Sequence, residues 1–341
     1  MNSQQTQAAP RVTKESKNKI RVEFERTPLK ERLKAKFLNT NFFAKVVVKI
    51  FTYVLLIGIS YVILFPFFAK ISGSFMSRED FVDVTVKLIP KYPTLDTYKA
   101  IINSNKYFQA LGNTFLLSTL CALIQTFVCC VIGYGLAKFK FKGNKLLFFL
   151  VIFTMVIPHR TLQLSMFMKF RFFDLFGILE GIFGEAPSLL NSYWPLAILS
   201  ITGLAFKNGL YIFMMRQFFH GVPDELEESA YIDGSGVFRT FLQIILPLSV
   251  PMMITIFLFA FSWQWTDNFY TTVFFQKSKL VLMPNIVAIP RTLDTNYAAQ
   301  NLYESAIRNT CGLLILAPLL VMYVFLQRYL IGGIERSGIV G

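Results

Sequence analysis

Six long apolar stretches, separated by polar connections, organise the chain. A helix rises about 1.5 Å per residue, so roughly 20 apolar residues are needed to cross a hydrocarbon layer about 30 Å thick. Residues 50–69 form the first such stretch. Residues 110–137 form the second, 28 positions without a charge, long enough to tilt or to project beyond a bilayer. The third, 146–168, is interrupted by Pro158-His159-Arg160, and the fourth, 193–215, carries Lys207. Residues 246–263 and 311–330 complete the set. The pattern predicts an all-α, polytopic membrane protein with six transmembrane helices and both termini on one side. A polar arm (1–49) precedes the first span (50–69), a five-span core occupies 110–330, and a short tail (331–341) follows.

Composition supports lipid as the outer solvent. Of 341 residues 54% are hydrophobic and 16% charged, whereas a soluble domain carries about a quarter charged residues. The net charge is nevertheless +14, and its placement decides between a polyanionic partner and a topology signal. Lys and Arg accumulate in cytoplasmic loops. Residues 1–49 net +8 and residues 138–145 carry four lysines without an acid, against +2, −1 and +1 for 70–109, 169–191 and 264–310. Both termini are therefore expected in the cytoplasm, with the arm held near anionic lipid, and no nucleic-acid partner is implied. Trp263, Trp265, Phe269 and Tyr270, at the outer end of the fifth span, are expected in an interfacial aromatic belt. One inner segment breaks the charge pattern: residues 216–243 hold two basic and five acidic residues.

Other chemistries find little support. Cys121, Cys129, Cys130 and Cys311 all lie in apolar runs without CxxC spacing and read as small buried side chains. Two histidines, His159 and His220, make a His-based zinc site an unsuitable reading. Neither GxxxxGK[ST] nor GxGxxG at a strand–helix junction is present, so no nucleotide cofactor is expected on this chain. No acid/base cluster points to catalysis, and none of the six apolar stretches contains the carboxylate that an ion-coupled carrier acting alone would need.

The acidic segment reads as two short helices with a sharp joint. Pro223 suits a first helical position, and Asp224 and Glu225 favour the positive end of the helix dipole. Leu226 and Ala230 share a face, Gly234 supplies a left-handed stop, and Ser235 can cap a second helix bearing Phe238, Phe241, Leu242 and Ile245. Pro247 sets the entry into the fifth span.

These residues carry a resemblance. Glu228-Ser229-Ala230, three residues, Gly234, nine residues and Ile244-x-Leu246-Pro247 resemble the EAA–G–I-LP motif of ABC-importer permeases, departing only at Ser229, where the motif has Ala. Arg216-Gln217-Phe218-Phe219, Gly133–Lys138 and Gln327-Arg328-Tyr329-Leu330 extend the likeness over roughly residues 50–341, and it is nearest to the carbohydrate-type, maltose-type permeases. The resemblance implies the type I permease fold and a second, related permease subunit. It also implies two cytoplasmic ATPase subunits and an extracellular or periplasmic binding protein. In such importers the loop helix docks in a cleft of the ATPase. By position, Glu228, Ser229, Ala230, Asp233 and Gly234 would form the docking knob, and Ile244, Leu246 and Pro247 would couple it to the fifth span. A carbohydrate cargo is implied, with another solute as the alternative.

Weaker signals remain open. Lys207 lies nine residues before Arg216, about 13 Å along a helix, and a cation at that depth calls for protein or water around it. It is either a pathway or subunit-interface residue, or a snorkelling one, or it lies at a helix boundary that the run length misplaces. Phe259 and Trp263 could offer stacking faces to a sugar. Pro158-His159-Arg160 resembles the family's Pro-centred break and is expected as a kink. The outer loop 275–310 is a candidate contact for the binding protein. Thr266, where the family usually has Asn, and a C-terminus lacking the usual final lysine depart from type.

Overall fold

The computed structural model describes residues 40–276, 280–296 and 299–336. The chain divides into two units, residues 1–67 and 68–341. Among the described residues the structure is helical throughout, without a strand. The arm lies mostly outside the described residues, as do 337–341 of the tail.

Helix α1 (Thr40–Ser74) contains the first predicted span. None of its most apolar window is buried, and a helix that is apolar all round seeks lipid or another subunit.

In the second unit, α2 (Asp96–Ser104) leads into α3 (Tyr107–Lys138), which contains the whole second predicted span. It packs against α8 (Asn208–His220), α11 (Leu246–Trp265) and α7 (Trp194–Ile201). Gly133 permits the close approach of α3 to α8, because a Cβ there would fall 2.5 Å from Met215 Cβ. The main core gathers Cys129, Cys130, Tyr134, Tyr211, Met215, Ile245, Met252 and Ile256 around this contact. All four cysteines are buried and free, as expected of small apolar fillers. Helix α13 (Gln300–Arg336) encloses the sixth predicted span and packs along α11, where Trp265 Nε1 donates to the Ile315 carbonyl at 3.0 Å.

Two predicted spans are not straight helices. The third becomes α4 (Asn144–Val156), a 3₁₀ turn (His159–Leu162) and α5 (Gln163–Arg171), bent by 92°, with the short α6 (Ile178–Phe183) following. Ile157, ahead of Pro158, is extended, as steric clash with the proline ring demands. The fourth separates into α7 and α8, because Gly203 (φ 72°) and Lys207 (φ 71°) both adopt left-handed backbone. Four described helices are long and apolar enough to cross a membrane, five if the bent pair counts as one span. The sixth predicted crossing is this interrupted α7–α8 segment.

The aromatic belt also needs correction. Trp265 and Tyr270, the latter in the short α12 (Phe269–Phe274), are buried at 1% and 2% exposure and belong to the core, while Trp263 is half exposed. Outside the bundle, Arg78 pairs with Asp294 at 2.9 Å, and Asn105 donates to the carbonyls of Ile286 and Ala288. These contacts tie 75–106 to 286–294, one part of the predicted outer loop.

Candidate functional site

Between α8 and α11 the chain forms α9 (Glu225–Ile232), a left-handed joint, α10 (Val237–Thr240) and a π-turn at Phe241–Ile245. The joint follows from Gly234, whose φ of 80° an L side chain disfavours. Gly234 N–H donates to Tyr231 O at 3.0 Å and Ser235 N–H to Ala230 O at 2.9 Å, the paired bonds of a Schellman end. Two local expectations change. Pro223 precedes the N-cap Asp224 instead of occupying the first helical turn. Ser235 does not cap α10; its Oγ accepts from Thr240 Oγ1 at 3.1 Å.

The π-turn has a cause in Pro247. Proline offers no N–H to Gln243 and crowds that carbonyl, and the ladder widens so that Leu246 N–H reaches Phe241 O. Leu246 and Ile244 are half-buried there and Pro247 is exposed.

Glu228, Ser229, Asp233 and Gly234 are exposed together at the joint, whereas Ala230 faces inward and is buried. Ile232 and Phe238, 86% and 75% exposed, flank the same joint. The result is a knob with apolar tips and an acidic surround, the chemistry that fits an apolar groove with a basic rim.

The knob is fastened from beneath by residues the sequence reading did not single out as site residues. Lys138, at the end of α3, donates to Val222 O at 2.7 Å and to Asp224 Oδ1. Its Nζ also lies 3.5 Å from Glu227 Oε2, and both side chains are 8% exposed. Glu227 Oε1 accepts from the Tyr134 hydroxyl. The Lys138 hydrogen bond and charge hold the Asp224 carboxyl below the usual carboxylate range. Removing one partner of a buried pair costs on the order of 3–5 kcal/mol. The four-residue spacing of Tyr134 and Lys138, facing Glu227 in an otherwise outward-acidic helix, was the available signal.

A second cluster surrounds Lys207. Its ammonium lies 4.7 Å from the ring centroids of both Phe206 and Trp263, contacts worth about 0.5–1 kcal/mol each where exposed. His159 meets Phe206 edge-on at 4.3 Å, so the breaks at 157–162 and 202–207 converge. A small cavity beside them is lined by Gln125, Trp263, Gln264, Asp267 and Tyr270, among others. Gln125 donates to Ser200 Oγ at 3.2 Å. Lys207 is thus a helix-junction residue between aromatic faces, not a mid-helix cation. Phe259, one turn before Trp263, is half-buried against the main core.

Comparison with known proteins bears on the family and the fold. Residues 130–336 match the family model described as "Binding-protein-dependent transport system inner membrane component". The chain is 29% identical over 301 residues to the galactooligosaccharides transport system permease protein GanQ of Bacillus subtilis, covering 86% of this chain and 95% of that one. Protein LplC of the same organism is 28% identical over 291 residues, covering 83% and 92%. Among solved structures, a chain of a bacterial ABC transporter involved in the import of the acidic polysaccharide alginate superposes with a TM-score of 0.60. It is 19% identical and covers 84% of this chain and 97% of that one, a likeness of fold.

Proposed function

The chain belongs to the family of binding-protein-dependent transport system inner membrane components, and from that premise we propose that it carries an oligosaccharide across the cell membrane. It is a multi-pass ABC-importer permease with the type I fold, a transport subunit that works with ATPase and substrate-binding partners. The carbohydrate cargo is supported by relatives named for galactooligosaccharide and arabinooligosaccharide transport. A second, related permease completes the pathway, two separate cytoplasmic subunits hydrolyse the ATP, and both termini face the cytoplasm.

One observation carries the coupling assignment: the exposed acidic and apolar knob around Gly234, rigid by its Schellman end and joined to α11 through the π-turn. ATP-driven closure of the ATPases draws the knob inward and opens the bundle outward to receive solute, and hydrolysis reverses the motion. Glu228, Ser229, Asp233 and Gly234 form the docking surface, with the buried Ala230 packed beneath it instead of contributing to it, while Ile244, Leu246 and Pro247 pass its motion to α11. Lys207 and Trp263, at the convergence of the two broken segments, line the solute path, and Phe259 supports Trp263 from the core side.

The test is purification of the tagged chain from its native membrane. ATPase and binding-protein subunits are expected to co-purify, and the binding protein is expected to bind oligosaccharide in calorimetry. Absence of any ATPase sinks the coupling role; a binding protein that ignores sugars sinks the cargo.

A further inference from the structure

We propose that Lys138, Glu227 and Tyr134 form a clamp that ties the docking helix α9 to α3, so that ATPase motion enters the bundle through α3 as well as through α11. The inference rests on the reading of the 216–247 loop as the docking element.

The inner face of α9 carries Glu227 and Ala230, three residues apart and both buried. Packing alone would place an apolar side chain at both positions, since a buried carboxylate must be paired to be tolerated. Glu227 is paired twice, and both partners come from one face of α3: Tyr134 and Lys138 are four residues apart. The Tyr134 ring is in turn fixed between the two limbs of the loop. It lies 5.5 Å from Phe219 at the end of α8 and 4.8 Å from Phe241 in the π-turn. Lys138 adds the Val222 carbonyl and Asp224, at the entry to α9. The clamp therefore holds the loop before, within and after its docking helix.

The two routes into the bundle differ in stiffness. The path to α11 passes through a widened turn ahead of Pro247, where one ladder bond is missing. The path to α3 passes through a buried charge pair and an aromatic cluster, and α3 is itself packed closely on α8 at Gly133. A displacement of α9 that leaves the clamp intact must carry α3 with it. Glu227, Lys138 and Tyr134 are positioning residues in this account, since none of the three is offered to the ATPase.

The experiment uses the full transporter, with its ATPases and binding protein, reconstituted in liposomes, and reads solute taken up per ATP hydrolysed. Glu227→Gln keeps size and an acceptor for Tyr134 but removes the charge; the ratio is expected to fall about tenfold while ATPase subunits still co-purify. Tyr134→Phe, which removes a single hydroxyl and keeps the ring packing, is expected to lower it about threefold. Lys138→Arg is expected to retain most of the ratio and Lys138→Met to lose it. Ratios within about twofold of wild type for Glu227→Gln and Tyr134→Phe overturn the clamp. So does loss of ATPase from both variants, since the residues would then shape the docking surface instead of transmitting its motion. Gly234→Asp separates the two readings: if it leaves assembly intact, the docking assignment fails and takes the clamp with it. If it abolishes assembly while the ratios stay unchanged, only the clamp fails.

Discussion

At the joint after α9 the left-handed residue is Gly234, and at the joint between α7 and α8 Lys207 shares that backbone with Gly203; the φ angles of Gly234 and Lys207, 80° and 71°, are nearly equal. Glycine adopts this backbone without steric cost, whereas an L residue gives up about 1–2 kcal/mol. A Cβ on Gly234 would meet nothing within 4 Å, so glycine there serves the turn and leaves the surface bare for a partner. Lys207 instead accepts the strain while its ammonium rests between Phe206 and Trp263. Strain retained at a non-glycine position points to use of the side chain. The first joint needs only its backbone, whereas the second also holds a cation against two aromatic rings.

The largest expected effect breaks the first half of that contrast. Gly234→Asp should abolish ATPase co-purification and lower uptake more than about tenfold. Gly234→Asn should be much milder, because Asn tolerates left-handed backbone and adds no charge. Equal failure of both variants would mean that the joint matters for its shape alone.

Lys207 gives the next test. Lys207→Gly relieves the left-handed strain but loses two cation–aromatic contacts, so stability should change by less than about 1 kcal/mol. Uptake should nevertheless fall, about fivefold if the cation meets solute or its water. Lys207→Gly that transports like wild type would remove the lysine from the pathway. A melting-temperature series beside the uptake assay separates the two contributions.

A third glycine sharpens the comparison from another side. Gly133 has an ordinary helical backbone, yet a Cβ there would lie 2.5 Å from Met215 Cβ and 3.1 Å from the Arg216 amide nitrogen. Gly133→Ala should cost about 1–3 kcal/mol by forcing α3 from α8, read as a lower melting temperature of the purified complex. A neutral result would show that α3 and α8 can separate without penalty and would weaken the stiff route through α3.

Run length made α1, α3, α11 and α13 legible, because each contains an apolar stretch that one helix can occupy whole. It misled for 146–168 and 193–215, whose lengths match a span but whose backbone is decided by local residues. Pro158 announces its break through the steric demand on Ile157. In 193–215 Gly203 offers a comparable signal, whereas nothing about lysine favours the left-handed turn at Lys207, and only its packing on Phe206 and Trp263 reveals that one. The two short helices with a sharp joint were legible from the spacing, and Gly234 takes the left-handed backbone that a stop there requires. Their fastening was not, because Glu227 counts as one more acid in an acidic loop until α3 is seen to place Lys138 and Tyr134 beneath it. The belt reading failed at two residues for the converse reason: Trp265 and Tyr270 look interfacial by type, yet Trp265 is held against α13 and Tyr270 packs with Phe206 and Phe274.

The smallest expected effect concerns the exposed edge of the fastening. Lys138 depresses the Asp224 carboxyl relative to its unfolded value. Its contribution to stability is therefore fully present above the unfolded carboxylate range and is lost as pH falls through the lower, folded one. Asp224 is 77% exposed, so the pair is screened by solvent and salt. Wild type and Asp224→Asn should differ slightly in melting temperature near neutral pH. They should converge as pH drops below the carboxylate range, and high salt should shrink the gap in the same direction. Glu227 sits beneath that edge with its side chain 8% exposed, where salt reaches poorly, so the melting-temperature loss of Glu227→Gln should persist at high salt. If salt erased both losses alike, Glu227 would be no better shielded than Asp224, and the distinction between a buried clamp and a solvated surface pair would collapse.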